Sequence, residues 1–209
     1  MNDYQRFFTG RPTTVIAQDL LGREVIYNGP QGQIGGLIVG TEAYLGESDS
    51  ASHAYGGRRT NYTESLYGNP GDIYIYQIRS HYCFDVVVQD AEEPQGILLR
   101  ALEPTINVEE MNRNRGMEGT NVTNGPGKLV QALGIHDRKL DGQSMANAPL
   151  TIRIDEKREP LAITSSPRVG INPKGANAHE DLRFYVAHNP YVSKMRKRDS
   201  DMTNHGWRK

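Results

Sequence analysis

The chain has 209 residues, 36% of them hydrophobic and 23% charged, enough to bury one good core and more in keeping with one domain than two. No run approaches the roughly 20 apolar residues that a membrane span needs, and MNDYQRFFTGRP lacks the apolar stretch of a signal peptide. A single cysteine, Cys83, excludes an internal disulfide and fits a reducing cytosol.

The net charge of −1 argues against a nucleic-acid binder until it is divided. Lys194, Arg196, Lys197, Arg198, Arg208 and Lys209 face only Asp199 and Asp201 in the carboxy-terminal stretch, a local +4 that leaves −5 on the rest. Composition favours a solubilising disordered end there over a phosphate-seeking patch. A local basic face still suffices for a polyanion, because positioned phosphate contacts matter more than the global sum.

Thr13 or Thr14 is placed to cap a short helix, with Val15, Ile16, Leu20 and Leu21 at helical spacing and Gly22 as its stop. REVIY (23–27) and QIGGLIVGTEAYL (33–45) read as strands joined by the hairpin-type turn NGPQG. Period-two alternation puts Ile38, Gly40, Glu42 and Tyr44 on one face. A carboxylate desolvated against apolar walls has its pKa raised, which suits a general base. The turn-rich GESDSAS follows, then His53, Gly56, Gly57, Arg58 and Arg59. Two rings and two guanidiniums thus lie close in sequence to the acid.

Residues 60–71 are polar and turn-rich. IYIYQI (73–78) and YCFDVVV (82–88) read as two strands with a short connection, and GILLRALEP (96–104) as a third. On this last strand Leu98, Arg100 and Leu102 share a face, so a guanidinium sits among apolar neighbours and needs a partner. Glu42 is the candidate. VEEMNRNRG (108–116) reads as helix. A second helix, Lys128–Leu133, is reached through Gly125-Pro126-Gly127, with Thr123 or Asn124 as its cap and Gly134 as its end. TIRI (151–154), PRVGI (167–171) and LRFYV (182–186) are shorter strand candidates. Sequence-adjacent strands with short turns, and helices between groups, predict an α+β fold: one domain with a mainly antiparallel, curved β-sheet and flanking helices.

Several motifs fail. Val122 and Leu129 stand at obligatory positions of a phosphate-binding loop ending in Gly127-Lys128. The six histidines show no zinc-site spacing, and there is no G-x-S-x-G elbow. Cys83, inside a strand, reads as a buried small hydrophobe rather than a nucleophile.

TEAYLG (41–46), His53 with GGR (56–58), PGDIYIY (70–76), LLRALEP (98–104), GPGKLVQALGI (125–135), PRVGI (167–171) and LRFYV…PYVS (182–193) together resemble the alkyladenine (3-methyladenine) DNA glycosylase family. The likeness runs from about residue 7 to 193, leaving 1–6 and 194–209 as terminal extensions of a single domain. It implies a fold like the carboxy-terminal domain of methionyl-tRNA formyltransferases. It also implies a monofunctional repair enzyme that flips alkylated or deaminated purines out of duplex DNA and hydrolyses the N-glycosidic bond. Tyr44, His53 and Tyr76 match the rings that hold the flipped base, Glu42 the general base, and Arg100 the arginine that helps hold the attacking water. Arg58, Arg59 and Lys128 are expected on phosphates. No metal or organic cofactor is called for. The partner is double-stranded DNA carrying a damaged purine, with no membrane, and the protein is expected to be a monomer in the bacterial cytoplasm, on the nucleoid through its DNA. No lysine precedes Lys128, so the pocket strands carry no amine for a Schiff base, and no lyase activity is expected.

Two positions depart from the family. Where it carries a YGMY-like run with a groove-inserting tyrosine, this chain has QIRSHY (77–82), one residue shorter. Ile78, Arg79 and His81 compete for that role, the Arg79–His81 tip being favoured. Where the family often has an asparagine that screens out guanine, Asp85 stands; as an anion it would favour cationic alkylpurines over neutral lesions. Two other functions compete: a non-catalytic nucleic-acid-binding module of the same fold, and a cofactor-free hydrolase of small nucleosides. Taken singly, Tyr76 reads as core, His53 as a locally bonded loop residue, and Arg58, Arg59 and Lys128 as solvated charges.

Overall fold

The computed structural model describes all of residues 1–209, and its sheet is assembled on the long strand β2 (Gly32–Tyr44). The expected hairpin joins β2 to β1 (Glu24–Gly29), and β5 (Gln95–Ile106) runs along the opposite edge. β3 (Ile73–Ile78) and β4 (His81–Val88) extend the sheet beyond β5, and β6 (Leu150–Ile152) closes it beyond β1. Where β1 has ended, β8 (Arg183–Val186) pairs with Gly40–Glu42 and carries β7 (Ile163–Ser166) outside it. Every pairing is antiparallel, as the short turns between sequence-adjacent strands demand.

Glycine and bulges curve this sheet. The β2–β5 register shifts between Gly35 and Gly36 and again on both sides of Gly40, and each such irregularity bends the strand and tightens its twist. The two backbones approach so closely that a Cβ on Gly36 would lie 2.4 Å from the Glu103 carbonyl oxygen. The bulges also break the alternation expected along both strands. Ile38 and Leu102, directly opposite each other, belong to the main core, whereas Glu42 and Arg100 meet on the other face.

Away from the bulges alternation holds. Ile73 and Ile75, Phe84, Val86 and Val88, and Ile97 and Leu99 enter the main core. Tyr74 and Tyr76, Cys83 and Val87, and Leu98 form a smaller cluster on the opposite face. Helices cover the first face. α2 (Thr13–Asp19) contributes Ile16 and Ala17, α3 (Val108–Arg115) Met111, and α4 (Pro126–Ala132) Leu129, Val130 and Ala132. α1 (Asp3–Phe7), not anticipated from the sequence, starts on a reciprocal capping box between Asn2 and Gln5. α2 has no side-chain cap; Pro12 precedes it. PRVGI is not a strand. Its place beside β8 is taken by Ile163–Ser166, and residues 167–171 turn back over the sheet.

The carboxy-terminal stretch is folded, contrary to the disordered end that composition suggests. Trp207 is 2% exposed in the main core, and its indole N–H donates to Glu103 Oε2 at 2.8 Å. Asn189 donates to the same oxygen at 2.6 Å, and His205 Nδ1 lies 3.0 Å from Oε1. The composition argument missed this because the anchor is one aromatic ring and not an apolar run. Only the basic cluster at Lys194 and Arg196–Arg198 is exposed. Trp207→Ala should lower the unfolding free energy by about 3–5 kcal/mol through lost burial and a cavity. The check is a urea titration followed by circular dichroism, since Trp207 is the single tryptophan.

Candidate active site

The strand registers set one row of side chains across the sheet: Tyr74 on β3 faces Asp85 on β4, then Leu98 on β5, Glu42 on β2 and Arg183 on β8. This row lies on the face opposite the main core. A cavity of about 860 Å³ opens over it, with Tyr44, His53, Tyr76, Asp85 and Arg100 among its walls. The two carboxylates are therefore separated by a single strand, with Leu98 between them.

Glu42 is fully buried, and its charge is matched by placed donors. Its Oε1 accepts the backbone N–H of Val169 at 2.8 Å and faces Arg100 Nη1 at 3.1 Å, while its Oε2 accepts the Tyr44 hydroxyl at 3.0 Å. Arg100 also donates to the Val169 carbonyl at 3.3 Å, and its Nε is buried without a partner. The partner that the sequence demanded for Arg100 is thus the one found, since a buried charge persists only when paired and hydrogen-bonded.

Val169 reaches Glu42 because its neighbour is clamped. Arg168 forms two hydrogen bonds with Asp49, at 2.5 and 2.7 Å, both side chains being fully buried. Its Nη1 also donates to the Ala43 carbonyl at 2.9 Å, and its guanidinium lies 4.6 Å from the centre of the Tyr44 ring. Asp49 accepts the backbone N–H groups of Leu45 and Ala51 as well. Burial pushes the Asp49 carboxyl up, but Arg168 and these two N–H groups outweigh it and hold the pKa below the ordinary value. A strand at 167–171 would point its N–H groups at a neighbouring strand; the turn aims one of them at the acid instead. Asp49 and Arg168 escaped the sequence reading because nothing in either local stretch announces a partner some 119 residues away.

The rings divide into two walls. Tyr74 and Tyr76 stack with centroids 5.1 Å apart and an interplanar angle of 28°. His53, exposed at the rim, meets Tyr76 edge-on at 4.7 Å, and its Nδ1 lies 2.8 Å from the Tyr74 hydroxyl. Packing against these rings, then the charge of Arg58, lowers the His53 pKa. Tyr44 stands on the Glu42 strand, and burial first, then Glu42 and Asp85, raise its hydroxyl pKa far above the ordinary value.

Asp85 differs from its sequence expectation. It is buried, and its Oδ1 has no hydrogen-bond partner. Burial pushes its pKa up to about 8, partly offset by the Tyr76 hydroxyl and reinforced by Glu42. At neutral pH it is a protonated acid, not the anion expected beside a cationic purine. Cys83, pushed up to about 12 by burial and then by Asp85, is a buried thiol, consistent with a packing role.

The rim carries the remaining candidates. The β3–β4 hairpin turns through Arg79 and Ser80, Arg79 holding φ +56°. Ile78, 51% exposed, and His81 flank the tip, and all three candidates line the cavity mouth. The start of α4 packs on this hairpin so closely that a Cβ on Gly127 would fall 2.7 Å from the His81 Cβ. Lys128 lines the cavity, its ammonium donating to Asn124 Oδ1 at 2.7 Å, and burial followed by Arg115 lowers its pKa. The pocket strands carry no lysine, yet its wall does. Arg115, a lining residue that the sequence reading did not single out, is held by the Val122 carbonyl and the Gln131 side chain. Arg58 is exposed, whereas Arg59 is engaged with Glu64 and Glu92 at 2.6 and 2.5 Å and lies outside the cavity lining. No three His, Cys, Asp or Glu side chains converge in a way that could hold a metal ion. Arg168→Met should cost about 3–5 kcal/mol of unfolding free energy by leaving Asp49 buried without its counter-charge. Denaturant titration checks this, and Asp49→Asn in the same chain should recover part of the loss.

The family profile described as methylpurine-DNA glycosylase matches residues 7–190. Three relatives carry the provisional name 3-methyladenine DNA glycosylase. That of Latilactobacillus sakei subsp. sakei is 53% identical over 202 residues, covering 96% of this chain and 95% of its own length. That of Staphylococcus carnosus is 42% identical over 203 residues, covering 97% and 98%. That of Enterococcus faecalis is 40% identical over 209 residues, covering 100% and 91%. With a match of this extent, and a buried acid–arginine pair on the matching strands, the chain belongs to the methylpurine-DNA glycosylase family.

Proposed function

We propose that the protein is a monofunctional DNA glycosylase that draws alkylated or deaminated purines (3-methyladenine, 7-methylguanine, hypoxanthine) out of duplex DNA and hydrolyses their N-glycosidic bond. The observation that carries this reading is Glu42, fully buried beside Arg100 under a cavity walled by aromatic rings. A carboxylate offers about four lone-pair positions. Both on Oε1 are taken by Val169 and Arg100, and Tyr44 takes one on Oε2. The remaining position on Oε2 accepts the proton of a water whose oxygen attacks the sugar C1′, while the purine departs with the bonding electrons. The unpartnered Arg100 Nε is a donor suited to holding that water. General-base assistance contributes roughly 10²–10⁴-fold, and the fixed negative charge near the developing oxocarbenium adds electrostatic stabilisation. A cationic alkylpurine is already a good leaving group; neutral hypoxanthine is the slower substrate.

Tyr44 on one side and Tyr76 with His53 on the other hold the flat base. Ile78, Arg79 and His81, on the exposed hairpin beside the cavity mouth, enter the groove at the extruded nucleotide, and Arg58 and Lys128 contact phosphate. Arg59 joins them only by exchanging Glu64 and Glu92 for a phosphate oxygen. No cofactor is needed, and the protein acts as a monomer in the bacterial cytoplasm. A non-catalytic binder has no use for a desolvated acid paired with an arginine, which weighs against that alternative.

Glu42→Gln should retain binding to duplex DNA containing hypoxanthine while its single-turnover excision falls by about 10² or more. Free-base release and gel-shift assays on the same substrate check this, and a Gln variant that excises at the parental rate would sink the proposal. Borohydride should trap no covalent enzyme–DNA adduct, although Lys128 lines the cavity. An adduct, resolved by peptide mapping to that lysine, would instead assign a lyase step.

A further inference from the structure

We propose that Asp85 reads the edge of the extruded purine, donating a hydrogen bond when its carboxyl is protonated and presenting a bare anion when it is not, so that the choice between neutral and cationic purines changes with pH. This rests on the glycosylase reading above and goes beyond it, since it concerns which base is taken and not how the bond is cut.

The geometry comes first. Buried polar atoms are nearly always partnered, yet Asp85 Oδ1 is buried with no partner and its residue lines the cavity. The strand opposite leaves the carboxyl room: Gly96 on β5 has no side chain, and a Cβ there would lie 3.1 Å from Asp85 Oδ2. Leu98, directly across, offers no hydrogen bond. Every element around Asp85 is accounted for. β3 presents the Tyr74 and Tyr76 hydroxyls, β2 presents Glu42 and Tyr44, β5 carries Arg100 beyond Leu98, and Cys83 lies on its own strand. His53 stands across the rings at the rim.

The charge follows from that setting. An acid stripped of water, with a second carboxylate one strand away, keeps its proton to higher pH, and the Asp85 carboxyl is pushed up to about 8. The shifts of its neighbours lie elsewhere: His53 is lowered, the tyrosines are raised, and Cys83 is near 12. Among these shifted groups only Asp85 changes charge between about pH 7 and 9. Below that window its O–H donates to an acceptor on a neutral purine such as hypoxanthine. Above it, carboxylate oxygens face that acceptor and repel it, while a cationic purine gains a counter-charge. No bond to the proton is broken in the donor state; the hydrogen is shared and retained.

The test measures single-turnover release of hypoxanthine and of 7-methylguanine from duplex DNA between about pH 6 and 9.5, for the parent and for Asp85→Asn. Dividing the parent's hypoxanthine-to-7-methylguanine rate ratio by that of the Asn variant removes titration of the bases themselves. We expect this quotient to fall about tenfold as pH rises through 8, the worth of one hydrogen bond. A fall of less than about threefold overturns the proposal. A second readout does not use activity. Asp85 ionises near 4 in the unfolded chain and about 8 in the folded one, so its protonation stabilises the fold fully below about pH 4, and that contribution is lost as pH rises to 8. The parent's unfolding free energy relative to Asp85→Asn should decline over that interval and then level. A pH-independent difference overturns the proposal. Loss of all base release by the parent would instead defeat the glycosylase reading, and the stability curve separates the two failures.

Discussion

The fully buried carboxylate of Glu42 is the constraint around which this molecule is arranged. An ion of that size removed from water costs several kcal/mol unless charge and hydrogen bonds replace its hydration. Three distant parts of the chain provide that replacement: Arg100 from β5, the Val169 N–H from a turn, and Tyr44 from its own strand. The turn can serve only because Arg168 is fastened to Asp49 in the loop after β2. One buried ion pair therefore holds another in register. Removing a partner from either leaves an uncompensated charge, so the site is rigid for the same reason that it is charged.

The sheet separates stability from chemistry. Its covered face packs the larger cluster under α2, α3 and α4 and is closed by Trp207. Its other face carries the row Tyr74, Asp85, Leu98, Glu42 and Arg183, in which polar and titratable groups outnumber aliphatic ones. Period-two alternation lets one strand serve both purposes. The bulges at Gly35–Thr41 change that pattern where it matters, turning Ile38 and Leu102 into the core while Glu42 and Arg100 meet above it. A regular β2 would have had to place Ile38 and Glu42 on the same side.

The rim is built from short, irregular pieces on that frame. The hairpin tip keeps a non-glycine residue at positive φ, a conformation that costs energy and clusters at functional positions. Gly127 lets the start of α4 lie against His81. Basic groups gather here without a strongly basic chain, and Arg59 shows why counting arginines is a poor guide: the acids nearby, Glu64 and Glu92, engage it.

Much of this was legible in the order of residues. The hairpin pairs β1–β2 and β3–β4, the acid on β2, the arginine on β5 and the aromatic candidates all follow from alternation, turn residues and the need of a buried charge for a partner. Local patterns could not show that PRVGI is a turn, because its apolar residues fit a strand equally well until Arg168 finds Asp49. Nor could they show that the basic tail is anchored, because Trp207, His205 and Asn189 converge on Glu103 only after folding. Asp85 was read as an anion because its burial and its nearness to Glu42 are properties of space, not of sequence. The sequence by itself determined which groups the site contains and which strands bear them, since propensity and alternation act within a few residues. Only the tertiary structure decided their charge states, partners and orientation, since desolvation and pairing depend on what the fold brings from far along the chain.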